Sequence, residues 1–340
     1  MVVARPVVPQ RLVTSILDAM ADDGSYASLI DTRVNKLDMR GELRRAIADV
    51  EAIRGRPLLI YASNVVRPGI GPHTAIDQND DLPFAEMVAA VPPANRDIDL
   101  LVVTPGGSAQ QVSLFVDKLR RRFDHIGFLI PSQCMSAGTI WALSADDIWM
   151  DERAYIGPID PQVLGRDGRW IPAQALLVLL KDIQDKGAKS LSQGQNPDWS
   201  LIQLLRNIDP KEIGNTISVS AYSIQLAKTY LNDYKFKTWV THSGTGAPVT
   251  DVEKMTRATE IAAKLCDHEK WKTHGHGISR EIASNELQLK VEHPETVPGL
   301  QRALRRLWTL LYWSFENTAI IKVYVSQTYA IFRNQAVITP

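Results

Sequence analysis

Four short stretches of this 340-residue chain carry residue types that can do chemistry. The first is Gln133-Cys134-Met135-Ser136-Ala137-Gly138-Thr139. It follows a predicted strand over 126–131 and opens a predicted helix over 137–145. A serine at such a junction sits on a turn with its hydroxyl exposed. The neighbouring backbone N–H groups lie at a helix N-terminus, where developing negative charge is stabilised. That layout suits a serine nucleophile with an oxyanion site. It suits equally a serine that only caps a helix. The second stretch, Thr104-Pro105-Gly106-Gly107-Ser108, ends an apolar run over 98–103 and precedes an amphipathic helix over 109–122. Two glycines there free the backbone of side chains, so its N–H groups can approach a carbonyl closely. A plain strand-to-helix turn has the same composition. The third, Ala154-Tyr155-Ile156-Gly157-Pro158-Ile159-Asp160-Pro161-Gln162, is a Gly/Pro loop with one carboxylate embedded in it. The fourth runs from His268 to Ser279 and holds His268, His274 and His276. No HExxH or Cys/His spacing accompanies these histidines, so the stretch does not read as a metal site. A solvated His-Gly-His turn remains open as its plainest reading.

A frame must hold these stretches in place. Residues 39–54 are strong helix formers with Leu43, Ile47, Val50 and Ile53 at the three- and four-residue spacing of a buried stripe. Apolar runs over 58–62, 98–103 and 126–131 read as buried strands, with helices over 82–91 and 109–122 between them. Strand and helix thus alternate from residue 39 to about 150, the pattern of βαβ units and a mainly parallel sheet. The expected class is α/β. Residues 170–270 read as helical, over 172–186, 199–207, 210–230 and 252–266. The third of these has Asp209 as its cap and Pro210 at its first position. Beyond them come a short strand over 289–292, a helix over 300–315 and a hairpin over 320–325 and 329–333. The expected plan is an N-terminal extension over 1–38 with one short helix over 11–21, and a core over 39–170. A helical arm over 171–270 follows, then a C-terminal segment over 271–340 that completes the core. The Gly-, Pro- and Asp-rich loop over 64–81 is expected to border the site.

Composition narrows the function. With 45% hydrophobic residues the chain can bury a large core. The net charge is zero and no long basic run occurs, so nucleic acid and anionic membrane have no electrostatic footprint to meet. Two cysteines, Cys134 and Cys266, make no disulfide framework and fit a reducing cytoplasm. Cys134 lies two residues before Ser136, so a thiol nucleophile stands beside the hydroxyl; a buried small residue at a strand end is the simpler reading. No stretch approaches the ~18–20 apolar residues of a membrane span. No Walker loop or other cofactor motif is present, and no cofactor is expected.

Taken in order, the P-G-G turn at 105–107, the S-A-G-T at 136–139, the A-D-D-I-W-M at 145–150 and the I-G-P-I-D-P-Q at 156–162 resemble the Clp-fold serine peptidases. The likeness is closest to the serine dehydrogenase proteinase family, related to signal peptide peptidases and to the Clp protease catalytic subunit. It runs from about residue 43 to about residue 332. It implies a Clp/crotonase-type core, assembly into a homo-oligomer through the helical arm, and a protein or peptide substrate. It further implies ATP-independent hydrolysis through an acyl-enzyme on Ser136, with oxyanion donors at Gly106, Gly107 and Ala137.

The resemblance does not hand over a base. Where the histidine of the Clp subunit would fall, this chain has Pro158, Ile159 and Asp160. Where membrane-associated relatives place a lysine it has Ala173 and Gln174, and Lys181 follows about two turns later. The histidine-rich stretch resembles one in serine dehydrogenase proteinases. Its position matches the segment that supplies the acid of the triad in the Clp subunit. A permuted arrangement is therefore expected, in which His274 takes the Ser136 proton and Asp160 orients the imidazole. His276 and Lys181 are the alternative bases. Crotonase-type handling of acyl-CoA, a catalytically silent assembly or sensor protein, and a latent peptidase switched on by a partner all fit the same motifs.

Overall fold

The computed structural model describes residues 11–30, 32–34, 37–164, 170–207, 209–242 and 244–335. The chain forms two compact units. One comprises residues 1–134, 145–155 and 290–340, the other residues 135–144 and 156–289.

The first unit is built on a six-stranded sheet. Its strands run in the order Ala330–Asn334, Ile320–Val325, Leu58–Ser63, Asp97–Val103, His125–Ile130, Asp147–Met150. The last four are mutually parallel, and the C-terminal hairpin adds antiparallel to Leu58–Ser63. Every residue of Leu58–Ser63 is buried, as is all of Asp97–Val103 after Asp97. Parallel strands covered on both faces must be apolar throughout, which is why they appear as unbroken runs in the sequence. The α/β class with a mainly parallel sheet is therefore observed.

Helix Met39–Arg54 has the predicted bounds. The Asp38 side chain accepts from the Gly41 amide at its start, and Gly55, with φ 69°, ends it. Helix Leu300–Asn317 packs beside it. Together they bury Leu43, Ile47, Val50, Leu304, Leu307 and Leu311 in one cluster with Leu58 and Ile60.

Two short segments differ from expectation. Residues 11–21 hold strand Arg11–Val13 and the single-turn helix Ile16–Ala19 in place of one helix. Ser15 accepts from the Asp18 amide and starts the helix late, while the strand pairs with Thr32–Val34. Glu42 then accepts from the Ser15 hydroxyl at 3.1 Å and from the Leu17 amide at 2.8 Å. The predicted strand over 289–292 is reduced to a bridge between Trp149 and Glu292. Gln288, at φ 51°, turns the chain just before it. Pro294, which has no N–H to donate, follows two residues after the bridge.

The second unit is mainly helical, with helices Ala137–Ala142, Ala173–Ser192, Trp199–Asn207, Pro210–Tyr230 and Asp251–Cys266. Asp209 caps the fourth by accepting from the Lys211 amide, and Pro210 sits in its first turn. Helices Ala173–Ser192 and Asp251–Cys266 both pack on it. Among the described residues no helix is long and apolar enough to cross a membrane.

Candidate active site

Ser136 stands immediately before helix Ala137–Ala142 with φ 51° and ψ −118°, and its side chain makes no capping hydrogen bond. A capping serine has an extended backbone and gives its oxygen to the amide two or three residues on. Ser108 does this, accepting from the Gln111 amide at 3.1 Å. Ser136 does not, so the capping alternative fails. A non-glycine residue at such a φ costs about 1–3 kcal/mol and persists only where its surroundings enforce it. Here the backbone closes the turn by itself: Gly138 N donates to Met135 O at 2.7 Å and Ile140 N to Ser136 O at 3.2 Å. The hydroxyl of this half-buried serine is left out of that scheme. The Ala137 amide, first in its helix, has no acceptor within it.

The glycine-proline loop lies directly against this turn. The buried Thr139 hydroxyl donates to Gly157 O at 2.8 Å and accepts from Gly157 N at 2.9 Å. A Cβ on Gly157 would stand 2.6 Å from Met135 Cε and 3.3 Å from Ser136 N. Close approach, rather than an unusual φ, demands glycine there. Two residues further on, Ile159 N donates to Leu265 O at 3.0 Å, which ties the loop to the end of helix Asp251–Cys266. Asp160 follows, with only 1% of its surface exposed.

Past Cys266 the chain turns through Asp267, which caps the short helix His268–Trp271, and leaves it at Lys272, φ 63°. Two imidazoles from this stretch reach Asp160. His274 Nδ1 lies 2.9 Å from Asp160 Oδ1. A proton on that nitrogen leaves Nε2 as the acceptor of the ring, the tautomer a general base requires. His268 Nδ1 lies 3.4 Å from Asp160 Oδ2. Nothing in the sequence singled out His268 for this contact; the available signals were one carboxylate embedded in a Gly/Pro loop and three histidines in one later stretch. His276 packs instead against Trp271, with ring centroids 5.2 Å apart. Lys181 is exposed on helix Ala173–Ser192.

In the first unit, the diglycine turn has Gly106 at φ 101° and Gly107 at φ 140°. Ile76 N donates to Gly106 O and Ser108 N donates to Ile76 O, both at 2.8 Å. In a parallel bridge of this kind the residue between the two bonds, Gly107, turns its own N–H and C=O away from Ile76. The Gly106 amide is taken by Thr104 Oγ1 at 3.1 Å. The Gly106 amide is therefore held within the turn, whereas that of Gly107 faces away from Ile76. A Cβ there would lie 2.4 Å from Ile76 N and O, so no other residue fits. Thr104 N donates to Gln133 O at 3.0 Å, pairing the start of the turn with the strand that ends at Cys134. Cys134 is fully buried, and burial pushes its thiol far above the ordinary range. A thiolate at neutral pH is thereby disfavoured.

A buried polar cluster braces the segment that pairs with the diglycine turn. Lys322 Nζ donates to Ala75 O at 2.6 Å and to the two Asp80 carboxylate oxygens at 2.7 and 2.9 Å. The Tyr61 and Tyr324 hydroxyls also donate to Asp80. Burial first, then the Asp80 charge, push both phenols up, so both remain donors. Sequence reasoning missed this cluster. Its trace is one lysine inside the apolar strand Ile320–Val325.

Residues 69–219 match the family of ClpP-like, SDH-type serine proteinases. The likeness to serine dehydrogenase proteinases read from the motifs is thus met over this segment, which includes Gly107, Ser136 and Asp160 and ends before His268 and His274. Two uncharacterised proteins of Methanocaldococcus jannaschii are similar to parts of the chain. One is 36% identical over 96 residues, covering 28% of this chain and 31% of the relative. The other is 32% identical over 115 residues, covering 30% and 38%. The chain thus spans about a third of the length of these curated relatives. Similar solved structures include a membrane-bound stomatin-specific protease in complex with a substrate peptide (16% identity, TM-score 0.38, 69% of this chain and 74% of that one). They also include a ClpP1 mutant from Listeria monocytogenes (14%, 0.26, 50% and 92%). A third is an enoyl-CoA hydratase from Mycobacterium smegmatis (18%, 0.26, 64% and 93%).

Proposed function

We propose that this chain, which matches the ClpP-like serine proteinases over residues 69–219, is an ATP-independent serine endopeptidase acting through an acyl-enzyme on Ser136. The observation that carries the reading is the Ser136 backbone. Within the matched segment, φ 51° and ψ −118° hold a hydroxyl that caps nothing at a helix start.

In this reading His274 Nε2 accepts the Ser136 proton as Oγ attacks the substrate carbonyl carbon. Asp160, bonded to His274 Nδ1, keeps the imidazole in the required tautomer and stabilises the imidazolium. The Gly107 and Ala137 amides receive the carbonyl oxygen as it becomes an oxyanion, with Gly106 shaping the turn. Losing one such donor costs about 10²–10³ in turnover. The imidazolium then protonates the leaving amine as the C–N bond breaks. A water deprotonated by His274 attacks the ester and frees Ser136. The peptide lies as an added strand beside residues 106–108. Homo-oligomeric assembly through residues 171–270, and action in the cytoplasm, complete the proposal.

The test is labelling by a fluorophosphonate probe together with casein turnover. The reading expects covalent labelling at Ser136 in the wild type, and loss of both signals in Ser136→Ala. Full turnover by Ser136→Ala would end it. Thioester binding without labelling would favour crotonase-type chemistry instead.

A further inference from the structure

The geometry points to His268 as a positioning residue for this site, a role that rests on the proposed duties of Ser136, His274 and Asp160. Asp160 is a buried carboxylate, and such a group needs partners for both of its oxygens. Oδ1 is bonded to His274 Nδ1. Oδ2 and His268 Nδ1 are both buried, and neither finds a hydrogen-bond partner among the described residues. These two unpartnered atoms stand 3.4 Å apart. The separation is within hydrogen-bond reach, so a small reorientation of ring or carboxylate makes the bond, and hydrogen bonds at such sites are commonly poorly aligned until substrate is bound.

The backbone around His268 is fixed. Asp267 accepts from the Lys270 amide at 3.1 Å, and Trp271 Nε1 donates to Lys264 O at 2.6 Å. With Oδ2 held by His268, the carboxylate plane cannot swing, and Oδ1 stays aligned on His274. Without that partner the carboxylate is free to rotate, and His274 loses its lock on one tautomer. His268 also lines a cleft of about 260 Å³ together with Val178, Ile224, Ala263 and Cys266, which gives a small molecule access to the position of its ring.

The nitrogen that faces Asp160 is Nδ1, and this decides the test. The amide nitrogen of asparagine reaches the place of Nδ1, while that of glutamine reaches the place of Nε2. Casein or peptide kinetics are measured for the wild type, His268→Asn, His268→Gln and His268→Ala, with and without added imidazole. The expected result is KM unchanged throughout and kcat near wild type in His268→Asn. In His268→Gln and His268→Ala kcat falls by up to about 100-fold. Imidazole restores turnover to His268→Ala through the cleft. Wild-type kcat in His268→Gln, or equal losses in His268→Asn and His268→Gln, would overturn the inference. That pair keeps the test decisive if His268→Ala does not fold. Ser136→Ala and His274→Ala run alongside. Their failure to lose turnover would sink the underlying reading, whereas their loss beside a fully active His268→Gln would sink only the role of His268.

Discussion

Asp160 and His274, 114 positions apart in the chain, meet with Oδ1 and Nδ1 2.9 Å from each other. A carboxylate in that place fixes which imidazole nitrogen carries the proton. Asp160→Asn can preserve the packing while presenting a donor to Nδ1, which favours the wrong tautomer. We expect kcat to fall by about 10⁴ with the fold retained, since removing the charge behind a catalytic imidazole has an effect of that order. Steady-state kinetics check this. A loss smaller than about tenfold would contradict a role for Asp160 in orienting the base.

Gly157 is the point where the loop carrying Asp160 touches the serine turn. In Gly157→Ala the new methyl meets Met135 Cε at 2.6 Å and Ser136 N at 3.3 Å. The methionine end can swing away, but the backbone amide cannot. We expect a modest fall in Tm and a loss of turnover of up to about 100-fold, because small misplacements of reacting groups are costly. Thermal melts and kinetics on the same sample check it. A variant that loses Tm and keeps kcat would contradict a role for Gly157 in placing Ser136.

The Asp80–Lys322 pair is almost fully buried and holds the segment paired with the diglycine turn. Lys322→Met leaves Asp80 with Tyr61, Tyr324, the Asp77 amide at 3.0 Å and a long contact from Arg333 at 3.4 Å, but without its buried cation. Removing one partner of such a pair costs about 3–5 kcal/mol, whereas replacing both costs less. Urea unfolding should therefore show Asp80→Asn/Lys322→Met to be more stable than Lys322→Met alone. Strictly additive losses would contradict this.

Asp151 sets an acid limit on stability. Burial pushes its carboxyl up, but hydrogen bonds from the Arg153 amide and from the Arg305 and Arg153 guanidinium groups outweigh this and hold it below the usual range. A depressed native pKa adds stability that is complete above about pH 4 and drains as the pH falls through the native value. Wild-type Tm should drop over that acid window. Asp151→Asn, less stable at neutral pH, should drop less steeply. Parallel curves of Tm against pH would contradict the assignment.

Some of this was legible in the sequence. The strands over 58–62, 98–103 and 126–131 could be read because a parallel strand is buried on both faces. Helices 39–54 and 109–122 could be read because their apolar residues recur at helical spacing, as Leu43, Ile47, Val50 and Ile53 do. The φ of Ser136 could not, since it is set by how the backbone closes the turn, with Gly138 N donating to Met135 O, and leaves no mark in residue type. Asp80 and Lys322 are 242 residues apart, beyond any periodicity. The three histidines after Cys266 look alike in one dimension. Only the fold separates His268 and His274, which reach Asp160, from His276, which packs on Trp271.

The proposed site has the Ser136 hydroxyl as nucleophile and His274 as the base that activates it. Mass spectrometry of the fluorophosphonate adduct tests this most directly, on the wild type, Cys134→Ala, Ser136→Ala and His274→Ala. An adduct is expected on the peptide containing Ser136 in the wild type and in Cys134→Ala, none in Ser136→Ala, and strongly slowed labelling in His274→Ala. An adduct that persists in Ser136→Ala, or labelling of His274→Ala at the wild-type rate, would contradict those roles.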